Sequence, residues 1–171
     1  ERRSAERESR RLAGALEHAA ALAQWRSELL GISADGAAYR FWRRGEDGRW
    51  SSVDDDDVLA PHALPSAFTI RLASYAGAPV AEDAILPFRP SGRNEPYALE
   101  LASPAWSQIV TGDPLNRVQV AAQSTGDRLR LVGANLAEHT ARQYDGGTGK
   151  GERLWQAMLR KLDRVDPSYR D

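Results

Sequence analysis

The stretch Arg11 to Arg26, RLAGALEHAAALAQWR, decides the fold. Leu12, Leu16, Ala19, Ala20 and Ala23 recur at helical spacing along one face. Ala, Leu, Glu, Gln and Arg dominate, and proline is absent until Pro61, so propensity and periodicity agree on a helix. Upstream, Glu1 to Arg11 carries five Arg and three Glu, with Glu6 four residues before Arg10. That composition predicts continuation of the helix as a solvated rod supported by i,i+4 pairs. At about 1.5 Å per residue, a helix from Glu1 to near Trp25 is roughly 38 Å long, more than a small sheet covers, so its front end is expected to project. A charged helical start without Met and without an N-cap reads as a cut rather than a natural beginning.

Composition narrows the function little. A chain of 171 residues fits one domain with its own core, and a net charge of −1 gives no global reason to expect a nucleic acid or an anionic membrane as partner. Charge is uneven, however: Glu46 to Asp57 holds six acidic residues against Arg49, whereas the first eleven residues sum to +2. The absence of cysteine excludes disulfides and thiol catalysis without choosing a compartment. No apolar run approaches the ~18 residues of a membrane span, and no signal peptide is visible.

After Arg26 the period changes from 3.6 to 2. Leu30 and Ile32 alternate with Gly31 and Ser33, Ala34-Asp35-Gly36 supplies a turn, and Tyr39 and Phe41 alternate with Arg40 and Trp42. This predicts a β-hairpin. A second turn at Gly45 to Gly48 leads to Trp50, giving a three-stranded meander in which Trp42 and Trp50 are expected to meet. Ser52 to Asp57 reads as a polar loop and Val58 to Pro65 as an extended connection. Phe68 to Leu72 alternates again. Ala84 to Phe88 and Tyr97 to Leu101 read as antiparallel neighbours, with Pro87 marking an edge or a bulge. Ile109-Val110 and Arg117 to Val120 flank Gly112-Asp113-Pro114 as a last hairpin. The expected body is one long helix followed by six to nine short strands.

The tail divides into three pieces. Leu129, Leu131 and Val132 extend a strand pattern, Asn135 to Tyr144 is mildly helical, and Leu154, Trp155, Met158, Leu159 and Leu162 form an apolar stripe that Pro167 stops. The expected organisation is a helix-plus-sheet head over 1–122 and a C-terminal extension over 123–171 whose last amphipathic helix docks on the same domain.

Catalytic and metal motifs fail on inspection. Gly146 to Gly151 resembles a phosphate loop, but Tyr144 stands where the first Gly belongs and Gly151 where Ser or Thr belongs, so a flexible linker is the better account. Four consecutive aspartates at Asp54 to Asp57 lack EF-hand spacing and cannot all point at one Ca²⁺. His18, His62 and His139 stand in three contexts with no second His at i+4, and are expected at the surface. A periplasmic hydrolase would need a nucleophile elbow or a metal constellation, and neither is legible. Trp25, Trp42, Trp50, Trp106 and Trp155 are spread too widely for a stacking platform, and most are expected as core or edge aromatics. The reading is therefore no enzyme, no cofactor and no metal.

The order of these features resembles a known family. A cut helix, then LLGIS-ADG-AAYRFWRRGEDGRW, VLAPHALP, ILPFRPSG, YALELAS and RVQVA, resembles the soluble part of the minor pseudopilin H of type II secretion systems, and also the related FimT and FimU minor type IV pilins. The match covers about 1–122, with its most specific pieces at Ala38 to Trp50 and Ile85 to Gly92. The family's leader, its cleavage and methylation site and its apolar N-terminal helix are not in this sequence, and the tail from Gln123 is longer than the family leads one to expect.

The resemblance implies an α+β fold: a long N-terminal helix packed on antiparallel sheets, with the head in the periplasm and an inner-membrane anchor preceding Glu1. It implies a structural role near the pseudopilus tip in protein secretion. The implied partners are other minor pseudopilins, the major pseudopilin and secreted cargo. On this reading Leu12, Leu16, Ala19, Ala20 and Ala23 face the protein's own sheet, while Arg3, Glu6, Arg7 and Arg10 are available to neighbouring subunits. The alternative is a minor type IV pilin that binds DNA during uptake. That would need a basic strip, for which the N-terminal arginines, diluted by three glutamates, are the candidate.

Overall fold

A computed structural model describes residues 2–123. The first element is helix α1, Arg2–Arg26. It ends in a Schellman turn: Ser27 takes a left-handed φ of 53°, Glu28 N donates to Ala23 O at 3.0 Å and Ser27 N to Gln24 O at 3.3 Å. Nine strands follow among the described residues. They are β1 (Leu30–Ala34), β2 (Ala38–Arg44), β3 (Trp50–Ser52), β4 (His62–Ala63), β5 (Thr69–Tyr75), β6 (Leu86–Phe88), β7 (Tyr97–Ser103), β8 (Trp106–Gly112) and β9 (Val118–Gln123).

The strands form two antiparallel sheets. In the first, the order β3-β2-β1-β6 is extended by β4, which pairs with β2 at Ala38↔Ala63 and Tyr39↔His62. The hairpin expected around Ala34-Asp35-Gly36 is present with Ile32 opposite Phe41, and Asp35 holds the turn by accepting from Ala37 N and Ala38 N. The second sheet runs β5-β7-β8-β9 and includes the expected last hairpin, with Val110 opposite Val120. The sheets touch where β5 meets β1 and β2, and Gly36 bridges to Ile70. Helix α1 lies against β8 and β9 of one sheet and β1 and β6 of the other. The core fills the space between them with Leu12, Leu16, Leu30, Ile32, Phe41, Phe88, Leu99 and Leu101, all essentially inaccessible to solvent.

Three expectations are corrected. Ala84 to Phe88 and Tyr97 to Leu101 are not neighbours: β6 pairs with β1, whereas β7 sits between β5 and β8 in the other sheet. Period-2 alternation marks a strand but carries no information about its partner. Pro87 does lie on an edge strand. The front of the helix does not simply project, because Ala5, Glu8 and Ser9 are buried and Ser9 Oγ hydrogen-bonds Gln108 Oε1 on β8. Trp42 and Trp50 stand diagonally, since the register sets Trp50 opposite Arg44 and Trp42 opposite Ser52. Among the described tryptophans Trp25 is the exposed one, at 84%. His139, Trp155 and every expectation for 124–171 lie outside the described residues.

Candidate assembly surface

Helix α1 has two sharply different faces. Leu12, Leu16, Ala19, Ala20 and Ala23 are buried to 3% exposure or less. The alanines allow close approach to the sheets, and the two leucines supply most of the buried apolar area. On the opposite side Arg3, Arg7, Arg10, Gly14, Glu17, Ala21 and Gln24 are all exposed. Their alternating spacing of four and three sets them in a straight stripe along the helix. Glu6 is half-buried beside this stripe and pairs with Arg2 at 3.6 Å, an exposed i,i+4 contact of little energetic weight.

The sequence counts Glu8 against the N-terminal arginines, but the fold turns it inward. His62 Nε2 lies 2.8 Å from Glu8 Oε2, with both side chains largely buried. Arg11 and Glu8 flank Tyr39, whose hydroxyl burial pushes up to about 12 despite the opposing charge and hydrogen bond of Arg11. The stripe Arg3-Arg7-Arg10 is therefore more basic than the sum of its sequence neighbours suggests.

The segment between β3 and β4 is strapped to the helix. Val53 and Leu59 are fully buried and anchor its ends. Between them His18 Nε2 meets Asp56 Oδ2 at 2.8 Å, and Asp55 binds Arg26 at 3.1 Å and Arg43 at 3.0 Å. Burial pushes the Asp56 carboxyl up, but hydrogen bonds from His18, Leu59 N and Val58 N outweigh it and hold the carboxyl below the usual range. The Arg43 hydrogen bond does most to hold Asp55 below that range. His18 and His62, expected as surface histidines, are thus each half-buried and paired with a carboxylate across this seam. The helix carries His18 and Glu8; the strap answers with Asp56 and the start of β4 with His62. Nothing in the sequence joins residues 38 and 54 positions apart. Among the described residues no group of three His, Asp or Glu side chains is placed to hold a metal ion. Among them, too, no helix is long and apolar enough to cross a membrane.

The second sheet holds one further buried charge. Glu100 on β7 is 1% exposed and accepts from Arg71 Nε at 2.9 Å, directly across from it on β5. At the end of the sheets, Asn94 is buried and accepts from Arg89 N while donating to Asn116, which in turn donates to Gly92 O. This latch ties the β6–β7 loop to the β8–β9 turn.

No protein-family model matches the chain, nor does any curated protein. Solved structures do match in shape. The minor pseudopilin EpsH from the type II secretion system of Vibrio cholerae superposes with a TM-score of 0.58 at 16% identity, covering 71% of this chain and 95% of that one. GspH of E. coli gives 0.54 at 17% identity over 70% and 88% of the two chains. The type IV minor pilin FimU of Pseudomonas aeruginosa gives 0.50 at 14% identity over 72% and 95%. Identity this low carries the fold and not the function. The chain therefore has the type IV pilin-like fold of these minor pseudopilins, a long N-terminal helix packed on antiparallel β-sheets.

Proposed function

We propose that this chain is the head of a minor pseudopilin of a type II secretion pseudopilus, a structural subunit that contributes shape and contacts near the filament tip and turns over no substrate. The single observation that carries the reading is the two-faced helix. One face is sealed against both sheets, and the other leaves a straight exposed stripe headed by Arg3, Arg7 and Arg10. The likeness in fold to EpsH and GspH supports it. On this reading the head sits in the periplasm, an apolar helix preceding Glu1 anchors it in the inner membrane, and the work of moving cargo comes from an assembly ATPase elsewhere. Its partners are other minor pseudopilins and the major pseudopilin, with secreted cargo as a further contact. On this reading, too, the C-terminal extension ends in an amphipathic helix that docks on the head.

The likeness to FimU favours a second reading, a minor type IV pilin that binds DNA, and the inward turn of Glu8 leaves a more basic stripe for phosphates. Two measurements separate the readings. Soluble domains of the other minor pseudopilins are expected to bind this chain at about micromolar affinity, since the membrane segments that would confine the subunits are missing from the mixture. Arg7→Glu with Arg10→Glu in the full-length protein is expected to lower secretion while leaving the melt of the isolated head unchanged. Normal secretion by the double variant removes the stripe from the interface. Tight, salt-sensitive DNA binding without affinity for pseudopilins selects the pilin reading.

A further inference from the structure

The outer face of the first sheet, turned away from α1, carries a feature that the filament reading does not use. Along β2 the outward positions are Ala38, Arg40, Trp42 and Arg44, and the register brings Ser33 and Gly31 of β1 and Trp50 of β3 to the same side. Trp42 is fixed, because its Nε1 donates to Ser33 Oγ at 2.7 Å. Trp50 reaches across the sheet to Gly31, where an added Cβ would lie 3.2 Å from the indole and 2.4 Å from Ile85. Glycine at this position lets the indole and Ile85 lie down on the strand. Arg40 then sits over the Trp42 ring at 5.5 Å and Arg44 over the Trp50 ring at 5.6 Å.

What sets the two guanidiniums apart from the other arginines without an acid, Arg3, Arg7 and Arg10 among them, is the indole under each. Arg2, Arg26, Arg43, Arg71 and Arg117 each meet a carboxylate, whereas among the described residues neither Arg40 nor Arg44 makes an ion pair or a side-chain hydrogen bond. Each lies over an indole, which orders the side chain while its N–H edges remain open to a planar anion. A groove of about 420 Å³, lined in part by Ser33, Arg40, Trp42 and His62, opens beside the strip where β4 replaces β3 along β2.

Charge at the ends of the strip selects the ligand. Exposed Asp35 stands in the turn before β2, and exposed Glu46 and Asp47 stand in the turn after it. A polyphosphate chain running along the strand would meet a carboxylate at both ends, and two cations are few for nucleic-acid affinity. A short segment with its negative charge over the middle fits. The arginines are four residues apart on one strand, about 13 Å, which equals the span of residues i and i+4 in an extended peptide. We propose that this face is a docking surface for an extended acidic segment of a partner protein, with carboxylates at i and i+4 taken by Arg40 and Arg44 and an apolar side chain at i+2 against Trp42. The assignment is independent of the filament reading and holds or fails without it.

The test uses the whole 171-residue chain and a panel of synthetic extended peptides in which two glutamates flank a central leucine at spacings of two, four or six. The four-residue spacing is expected to bind best and to shift the indole Nε1–H resonances of Trp42 and Trp50 while leaving that of exposed Trp25 in place. Arg40→Lys and Arg44→Lys keep the charge and lose the planar fork. Each is expected to weaken binding about tenfold, the equivalent of one charge-assisted hydrogen bond. Absence of binding at millimolar peptide, affinity independent of spacing, or lysine variants that bind as tightly as the parent would overturn the proposal. Oligothymidylate binding more tightly than the four-spaced peptide would overturn it in favour of single-stranded DNA.

Discussion

Replacing Leu16 with alanine tests the packing of the central helix most directly. Leu16 is 0% exposed and belongs to the cluster that joins α1 to both sheets. Losing three buried carbons removes about 2.4 kcal/mol of transfer free energy at roughly 0.8 kcal/mol each. A cavity term adds to this to the extent that neighbours cannot close the gap. On the helix itself only Leu12, at i−4, has a side chain to move, since Ala13, Ala19 and Ala20 at i−3, i+3 and i+4 have nothing to swing into the space. The expected loss is therefore in the upper part of the range for such changes, about 3–5 kcal/mol. For a chain of this length that corresponds to a melting temperature lower by about 6–20 °C. Thermal denaturation followed by far-UV circular dichroism reads the shift, with Arg10→Ala on the exposed stripe as control and an expected change within about 0.5 kcal/mol. A fall of less than 2 °C for Leu16→Ala, or an equal fall for both variants, would show that the helix does not bury this face.

Other outcomes follow from the strap and the tail. Glu8→Gln is expected to cost about 1–3 kcal/mol by breaking a largely buried pair, and combining it with His62→Gln should add much less than the sum of the two single losses; strict additivity in denaturant titrations would refute the contact. Asp56 has a lowered carboxyl pKa in the fold, so its stabilisation is present above the unfolded value near 3.9 and is lost as pH falls through the folded one. Asp56→Asn should accordingly flatten the acid limb of the stability profile below about pH 4 and leave its slope near pH 9 unchanged, and an unaltered acid limb would count against the His18 and backbone contacts. Deleting Glu152 to Asp171 is expected to lower the melting temperature without changing affinity for partner pseudopilins. Lost affinity at unchanged stability would assign the tail to a partner instead.

Several parts of this architecture were legible residue by residue. The 3.6-residue recurrence of Leu12, Leu16, Ala19 and Ala23 determined both the helix and its inward face, because geometry alone sets side chains three and four apart on one side. Alternation around Ala34-Asp35-Gly36 determined the first hairpin, and the Gly112-Asp113-Pro114 turn the last, because short turns force adjacent strands to pair. Arg40, Trp42 and Arg44 were also readable as one strand face, since they alternate at period 2. That Trp50 joins them was not, because it depends on the register of β3 and on the missing side chain at Gly31.

What only the tertiary structure decided involves residues far apart in sequence. Tyr97-Ala98-Leu99-Glu100-Leu101 reads as a strand, but only the fold shows that β7 runs through the middle of its sheet with Glu100 buried against Arg71. The front of α1 looked like a solvated rod because its charges dominate the local composition. Its inward positions include Ala5, Glu8 and Ser9, and burial of Ser9 and Glu8 is tolerable because Gln108 and His62 arrive from elements 99 and 54 residues further along the chain, respectively. Local sequence fixes period, turn and face, which depend on a few bonds. The partners of a buried polar group depend on how separate elements meet in space, and no window of sequence contains that information.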